Sequence, residues 1–191
     1  MEKCGIIESR AIKLYTYGFE LLISSFISIL LIILLSIMSQ IPYAWLIFLL
    51  GFIPERVTAG GYHASTPLRC HIIFSSVFSL LLLALNVLTF PSYFAVWTSI
   101  FELLLVYIFS PIEAVNKPLC ESKKKTNRKR SFSFALIDIF LSFIILVQPD
   151  ILNLPLSIFF LSKWAFMFFL LLGRYKGYKY RKHQAAVEKE R

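Results

Sequence analysis

The fold is decided by a run of twenty mostly apolar residues near the start of the chain, residues 19–38, with the sequence FELLISSFISILLIILLSIM. At about 1.5 Å per residue, a helix of this length spans the roughly 30 Å hydrocarbon core of a bilayer. The run is too long for the core of a cleaved signal peptide, and no small-residue cleavage site follows it. We therefore expect a retained transmembrane helix.

Composition places the whole chain in a membrane. Hydrophobic residues make up 58% of its 191 residues, and the mean hydropathy of +0.71 is too high for a soluble globular protein. The net charge of +9 is divided among short blocks between apolar runs. That layout is typical of membrane topology signals and not of a nucleic-acid-binding surface. We expect one polytopic membrane domain over residues 1–191, with the lipid bilayer and no nucleic acid as partner.

The remaining apolar segments bring the expected number of transmembrane helices to about six. Clear further spans are predicted at residues 72–90, 93–110, 132–147 and 151–172. Pro155 is expected to interrupt the last of these. The second segment, residues 43–53, has only eleven residues, so a tilted short helix and a re-entrant segment both remain open. The predicted fold class is an all-α integral membrane protein.

The distribution of positive charge predicts the orientation. Nineteen of the twenty Lys and Arg residues lie in four segments: an N-terminal segment (1–18), a loop (54–71), a basic loop (117–131) and a basic tail (173–191). Six crossings put all four segments on one side, which the positive-inside rule makes the cytoplasm. We therefore expect a multi-pass protein of the cell membrane with both termini in the cytoplasm. Cys4, Cys70 and Cys120 then face a reducing compartment, where structural disulfides are not expected.

The predicted loop 54–71 contains the stretch that is richest in chemically reactive residues, RVTAGGYHASTPLRC at positions 56–70. Its two glycines permit backbone angles that other residues avoid and allow close approach to a substrate. Thr66 followed by Pro67 predicts a helix start, with Thr66 as N-cap and Pro67 at the first helical position. Cys70 would then lie in the first turn, where the positive end of the helix stabilises a thiolate.

Cys70 and His63 together could supply a nucleophile and a general base or acid. In an unbroken helix their seven-residue separation is about 10 Å of rise, far more than the roughly 3 Å hydrogen bond they need. We expect a loop that folds His63 back over the helix start. A packing cysteine and a solvated histidine remain the alternatives. A metal site of His63, Cys70 and His71 lacks a fourth ligand, and His71 should point to a different helix face, so no metal or cofactor is expected.

Ionisable residues inside the predicted spans are costly enough to imply partners or a polar cavity. Glu102 and Lys163 both fall near mid-depth and are a predicted pair. Asp138 lies nearer the cytoplasmic end and is a candidate to orient His63. Arg56 could bind the substrate or anchor the end of the second segment.

Two groups of residues resemble the accessory gene regulator B (AgrB) family of membrane cysteine peptidases. The first group is Arg56, Ala59-Gly60-Gly61, His63-Ala64 and Arg69-Cys70, and the second is Ser110-Pro-Ile-Glu, Asn116-Lys-Pro-Leu and the lysine cluster that follows. Length, hydropathy and charge layout are also similar along nearly the whole chain.

The resemblance implies a thiol protease of quorum sensing in Gram-positive bacteria. Such proteins remove the C-terminal tail of an AgrD-type precursor peptide, hold the remainder as a thioester, and assist its cyclisation to a lactone or thiolactone autoinducing peptide. Carried onto this chain, Cys70 would be the nucleophile and His63 its base and acid. Arg56 and Gly61 match positions tied to activity, and Gly60 would support the same loop.

The resemblance also bears on partners. Because precursors in this family have acidic tails, Lys123, Lys124 and Lys125 are candidates to attract the substrate, although topology anchoring alone would explain them. Small proteins of this kind can form homodimers. A polytopic transporter or exporter and a non-catalytic membrane scaffold remain open as functions of other classes.

Overall fold

The computed structural model describes residues 9–62, 66–112, 120–148 and 154–189. Apart from one isolated backbone bridge, the regular structure in this part of the chain is helical. Its helices are α1 (Ser9–Met38), α2 (Ala44–Ala59), α3 (Pro67–Val87), α4 (Ser92–Phe109), α5 (Glu121–Val147) and α6 (Leu154–Lys189). The predicted all-α fold class is confirmed.

Five of these helices are long and apolar enough to span a membrane, and α2 is the exception among the described elements. It has 16 residues, in keeping with the short second segment predicted from sequence. The chain is therefore a multi-pass membrane protein.

Helix α2 packs against several of the longer helices. It packs chiefly against α6 and also against α5, while α4 packs against both of those helices and α1 packs against α3. Phe48 and Phe52 of α2 are buried and stack at 5.4 Å between ring centroids. Phe78 of α3 meets Phe48 edge-on at 5.0 Å, so aromatic contacts fix α2 against its neighbours.

A glycine allows α2 and α6 to approach closely. A Cβ atom built on Gly51 would overlap the Ser162 hydroxyl and would lie 3.3 Å from the Phe159 backbone oxygen. Small residues at a helix crossing are a common way to bring two membrane helices together. The close crossing holds the end of α2 beside the middle of α6.

The predicted loop 54–71 is shorter than expected, because helices extend into it from both ends. Helix α2 continues through Pro54 to Ala59, and α3 begins at Pro67. The Thr58 hydroxyl donates to the Pro54 backbone oxygen at 3.0 Å, within this last turn. The polar residues that suggested a loop are accommodated inside the bundle, since Glu55 is buried there in an ion pair.

The other basic segments also contain more helix than predicted. Helix α5 begins at Glu121 and carries most of the basic block that was assigned to loop 117–131, which is consistent with the high helix propensity of Lys and Arg. The predicted tail 173–191 is helical as far as Lys189. Pro155 is the second residue of α6 and does not interrupt it, because proline is tolerated in a first turn.

Candidate active site

Cys70 lies where the sequence predicted, near the start of α3. Thr66 is the N-cap in an extended conformation and Pro67 follows at the helix start. The Thr66 side chain makes no capping hydrogen bond, and the Cys70 N–H donates to the Thr66 backbone oxygen at 3.2 Å. The thiol is free and partly exposed. His63 lies outside the described residues, so its pairing with Cys70 stays a prediction.

The backbone that leads toward His63 is held by Ile112, three residues after the end of α4. Gly60 has a φ of +79°, and it forms an isolated parallel bridge with Ile112. The Ile112 N–H donates to the Ala59 backbone oxygen at 2.8 Å. A Cβ at Gly60 would overlap the Ile112 backbone oxygen. Only glycine satisfies both the backbone angle and the close approach at this position.

Helix α6 holds the same backbone from the other side. The Tyr62 N–H donates to the Phe169 backbone oxygen at 2.9 Å, and Gly61 has a φ of +140°. A Cβ at Gly173 would lie 2.5 Å from the Gly61 carbonyl carbon and 2.7 Å from the Tyr62 nitrogen. The Gly173 position therefore has no room for a side chain. The sequence gives little indication of this role, because Gly173 is a single glycine at the end of an apolar run.

Arg56 joins these elements through its guanidinium. Its Nη2 donates to the Tyr62 backbone oxygen at 2.6 Å. The guanidinium carbon lies 5.4 Å from the Phe52 ring centroid and 4.8 Å from that of Phe169, within the range of cation–π contacts. Arg56 thus contacts the backbone next to His63.

The other terminal nitrogen of the Arg56 guanidinium could donate a hydrogen bond to a ligand. Its Nη1 is buried and has no hydrogen-bond partner among the described residues. A buried donor without a partner costs free energy, so a ligand oxygen that accepted from it would be bound favourably. A guanidinium can hold a carboxylate or an oxyanion in this way.

A buried ionic cluster lies behind Arg56, formed by side chains from α2, α4, α5 and α6. The Lys163 Nζ contacts the Glu55 Oε1 at 2.6 Å and the Asp138 Oδ2 at 2.8 Å. Glu102 is fully buried beside them, and neither of its carboxyl oxygens has a described hydrogen-bond partner. Lys163 therefore forms its ion pairs with Glu55 and Asp138 and not, as predicted, with Glu102.

The cluster has an excess of acidic groups. One oxygen each from Glu55, Glu102 and Asp138 lies within 4.8 Å of the others, a spacing that a cation could bridge. The Lys163 ammonium already bonds two of these three residues and supplies one positive charge. Three carboxyl groups facing one ammonium in an apolar bundle require further compensation by protons or a cation.

Asp138, the predicted partner of His63, uses one carboxyl oxygen to bind Lys163. Glu55 was not singled out from sequence, because it followed a proline after an apolar segment and its partner is 108 residues away. Glu55 and Arg56 are consecutive, so the end of α2 directs one charged side chain to the buried cluster and the next to the loop backbone.

His71 faces away from the Cys70 region, as predicted. Its ring nitrogens hydrogen-bond with the Ser28 hydroxyl at 2.7 Å and with the Ser24 hydroxyl at 3.4 Å, both on α1. These contacts occupy the imidazole between α1 and α3. The ring is therefore not oriented to share a metal ion with Cys70.

The three lysines predicted to attract the substrate lie in the first two turns of α5. Lys123 and Lys125 are exposed, and Lys124 is partly buried. The free thiol of Cys120, the N-cap residue of the same helix, is exposed. It is a natural comparison for Cys70, because both cysteines lie at the start of a helix.

Comparison with known proteins gives one match. The sequence model of the family described as accessory gene regulator B matches residues 2–173 of the chain. That range includes Arg56, Gly60, Gly61, His63 and Cys70. No curated protein and no solved structure is a significant match to the chain.

Proposed function

Because the chain belongs to the accessory gene regulator B family, we propose that it is a membrane cysteine endopeptidase. Its substrate is an AgrD-type quorum-sensing precursor peptide, from which it removes the C-terminal tail. Cys70 is the nucleophile and His63 the general base and acid.

The reaction has two acyl-transfer steps. His63 takes the proton of the Cys70 thiol, and the Cys70 sulfur attacks the carbonyl carbon of the scissile amide. The carbon–nitrogen bond breaks, the leaving amine takes the proton from His63, and the tail departs. The retained part of the peptide is then a thioester on Cys70. A thiol or hydroxyl within that peptide attacks the thioester, which closes a thiolactone or lactone ring and restores the Cys70 thiol.

The observation that carries the proposal is the contact of Arg56 with the backbone that leads to His63. Its guanidinium donates to the Tyr62 backbone oxygen, and Tyr62 directly precedes His63 in the chain. The Nη1 of Arg56, which has no hydrogen-bond partner among the described residues, could in addition bind the oxygen that becomes negative during attack.

The substrate would approach along the side of the membrane that carries the basic segments. If α2 crosses as a short sixth span, the positive-inside rule makes this side cytoplasmic and puts both termini there. A peptide with an amphipathic leader would lie flat in the interface. Lys123, Lys124 and Lys125 at the start of α5 would attract its acidic tail at low ionic strength.

The test uses the purified full-length chain in lipid nanodiscs with a synthetic AgrD-type precursor, and mass spectrometry of the released tail. Cys70→Ala should release no tail, while Cys120→Ala should release it at the parental rate. Tail release by Cys70→Ala at the parental rate would refute the proposal. Loss of release in both variants would show that the assay reports folding and would require the comparison to be made at matched amounts of folded protein.

A polytopic transporter is the second candidate, and the buried ionic cluster is the observation that favours it. Ionisable groups inside a membrane often line ion or substrate pathways, and Glu102 has no described hydrogen-bond partner. A transporter predicts uptake or release across sealed proteoliposomes that survives Cys70→Ala and is lost in Glu102→Ala. A peptidase predicts that tail release is lost in Cys70→Ala and survives in Glu102→Ala, because only Cys70 forms a covalent bond with the substrate.

A further inference from the structure

A surface groove lies between α4 and α5, at the end of the bundle where α5 is basic. Its volume is about 410 Å³. It is lined by Val106, Tyr107, Lys125, Arg128, Lys129 and Phe132. The groove is separate from the Cys70 region and from the buried ionic cluster.

The four α5 residues of this groove form one stripe along the helix. Lys125, Arg128, Lys129 and Phe132 have the spacing i, i+3, i+4, i+7, which places their side chains on the same face. The stripe crosses the point where α5 changes character, since its charged first part ends at Arg130 and the rest contains only Asp138 as a charged residue. One end of the groove is therefore cationic and the other is apolar.

Helix α4 completes the apolar part of the groove. Val106 is buried, whereas Tyr107 and Phe132 remain exposed on the surface of the bundle. In a membrane protein an exposed aromatic pair at the boundary between charged and apolar helix segments lies at headgroup level. The groove thus has the polarity gradient of the bilayer interface itself.

The three cations of the groove have no carboxylate partner among the residues that the structure describes. Within the ranges that the structure describes, no carboxylate forms an ion pair with Lys125, Arg128 or Lys129. Three positive charges on one helix face favour a ligand that carries at least one negative charge.

We propose that this groove binds an anionic phospholipid. Arg128 and Lys129, with Lys125 one turn away, contact the phosphate and its anionic headgroup, and the start of an acyl chain packs against Phe132 and Val106. A soluble anion would leave the apolar wall uncovered. A hydrated acidic peptide segment would do the same, so the combined chemistry of the groove favours a lipid.

The experiment is native mass spectrometry of the detergent-purified full-length chain, titrated with phosphatidylglycerol or phosphatidylcholine. The groove variant is Arg128→Gln/Lys129→Gln. Its matched control is Lys123→Gln/Arg130→Gln, which removes the same two charge types from the opposite side of α5. At about 1 kcal/mol for each of the two cations removed, the groove variant should bind phosphatidylglycerol about 30-fold more weakly. The control should change by less than about twofold, and phosphatidylcholine should bind weakly to every variant.

A second variant, Phe132→Ala, keeps every charge and tests the apolar half of the groove. It should weaken phosphatidylglycerol binding several-fold and leave binding of inorganic phosphate unchanged. It also carries the test if the double charge variant does not fold.

Three results would overturn the proposal. An equal loss of phosphatidylglycerol binding in the groove variant and its control would mean that the whole basic segment attracts the lipid without a specific site. Inorganic phosphate that binds as tightly as phosphatidylglycerol would mean a free-anion site without a lipid chain. The third result concerns a synthetic peptide with an acidic tail. If this peptide binds more tightly than phosphatidylglycerol and displaces it, and if its binding depends on Arg128 and Lys129, the occupant of the groove is a peptide.

Discussion

The Arg56 Nη2 donates to the backbone oxygen of Tyr62 at 2.6 Å, and Tyr62 directly precedes His63 in the chain. The Tyr62 N–H is at the same time bound to the Phe169 backbone oxygen. Both backbone groups of one loop residue are therefore fixed, by α2 on one side and by α6 on the other. In the proposed peptidase this fixed residue determines where the catalytic loop leaves the helix bundle.

Substitution of Arg56 should reduce activity more than stability. Arg56→Gln removes a hydrogen bond from a charged group, worth about 2 kcal/mol, which corresponds to roughly a 30-fold fall in the rate of tail release. Arg56→Lys should be nearly as impaired, because an ammonium lacks the planar fork of donors. The rates are measured by mass spectrometry on nanodisc samples.

Arg174→Lys is the control for this prediction. Arg174 lies in the middle of α6, and its guanidinium carbon lies 5.7 Å from the Phe109 ring centroid. It should retain tail release within about twofold, since an exposed cation–π contact is worth less than about 1 kcal/mol. If Arg56→Lys were as active as Arg174→Lys, the positioning role of the guanidinium would be wrong.

Two glycines one turn apart on α6 provide a second prediction. Gly173→Ala places a methyl group 2.5 Å from the Gly61 carbonyl carbon, so it should displace the loop, lower stability by about 1–3 kcal/mol and reduce tail release. Gly177→Ala meets no atom within 4 Å and should leave tail release unchanged while slightly raising helix stability. Thermal unfolding in detergent and the rate of tail release separate the two variants. Equal stability and equal tail release in the two variants would show that the contact between Gly173 and the loop is not required.

The buried cluster gives a prediction on stability alone. Lys163→Met leaves the carboxyl groups of Glu55 and Asp138 without their cation and should cost about 3–5 kcal/mol. Glu102→Gln should cost less than about 1 kcal/mol, because an amide has nearly the size of the carboxyl group and can donate a hydrogen bond to the neighbouring Glu55 carboxylate. Thermal unfolding of both variants in the same detergent checks this order. A Glu102→Gln variant as unstable as Lys163→Met would place a required negative charge at Glu102.

The parts of the fold that depend on local patterns could be predicted from sequence. The apolar run 19–38 forms the greater part of α1, and Thr66 with Pro67 marks the start of α3. Both predictions use short-range physics, namely the length of an apolar helix and the chemistry of a helix N-terminus. The position of Cys70 in the structure follows from the second of them.

The parts of the structure that depend on residues far apart in the chain could not be predicted from sequence. Helix α2 continues past Pro54 because Glu55 is neutralised by Lys163, far along the chain. The requirement for glycine at position 173 arises from the backbone of Gly61 and Tyr62, which the sequence alone does not place next to α6. Positive charge predicts a loop at the start of α5 because it indicates topology, but Lys and Arg also favour helix.

The most direct test of the central claim is to trap the acyl-enzyme. The full-length chain in nanodiscs is mixed with an AgrD-type precursor whose internal thiol or hydroxyl nucleophile has been removed, so that the thioester cannot cyclise, and the intact protein and its proteolytic fragments are weighed by mass spectrometry. The proposed mechanism predicts an added mass equal to the precursor without its tail on the fragment that contains Cys70. Hydroxylamine should remove this mass, and Cys70→Ala should lack it. An adduct on Cys120, or tail release by Cys70→Ala with no adduct on any cysteine, would contradict it.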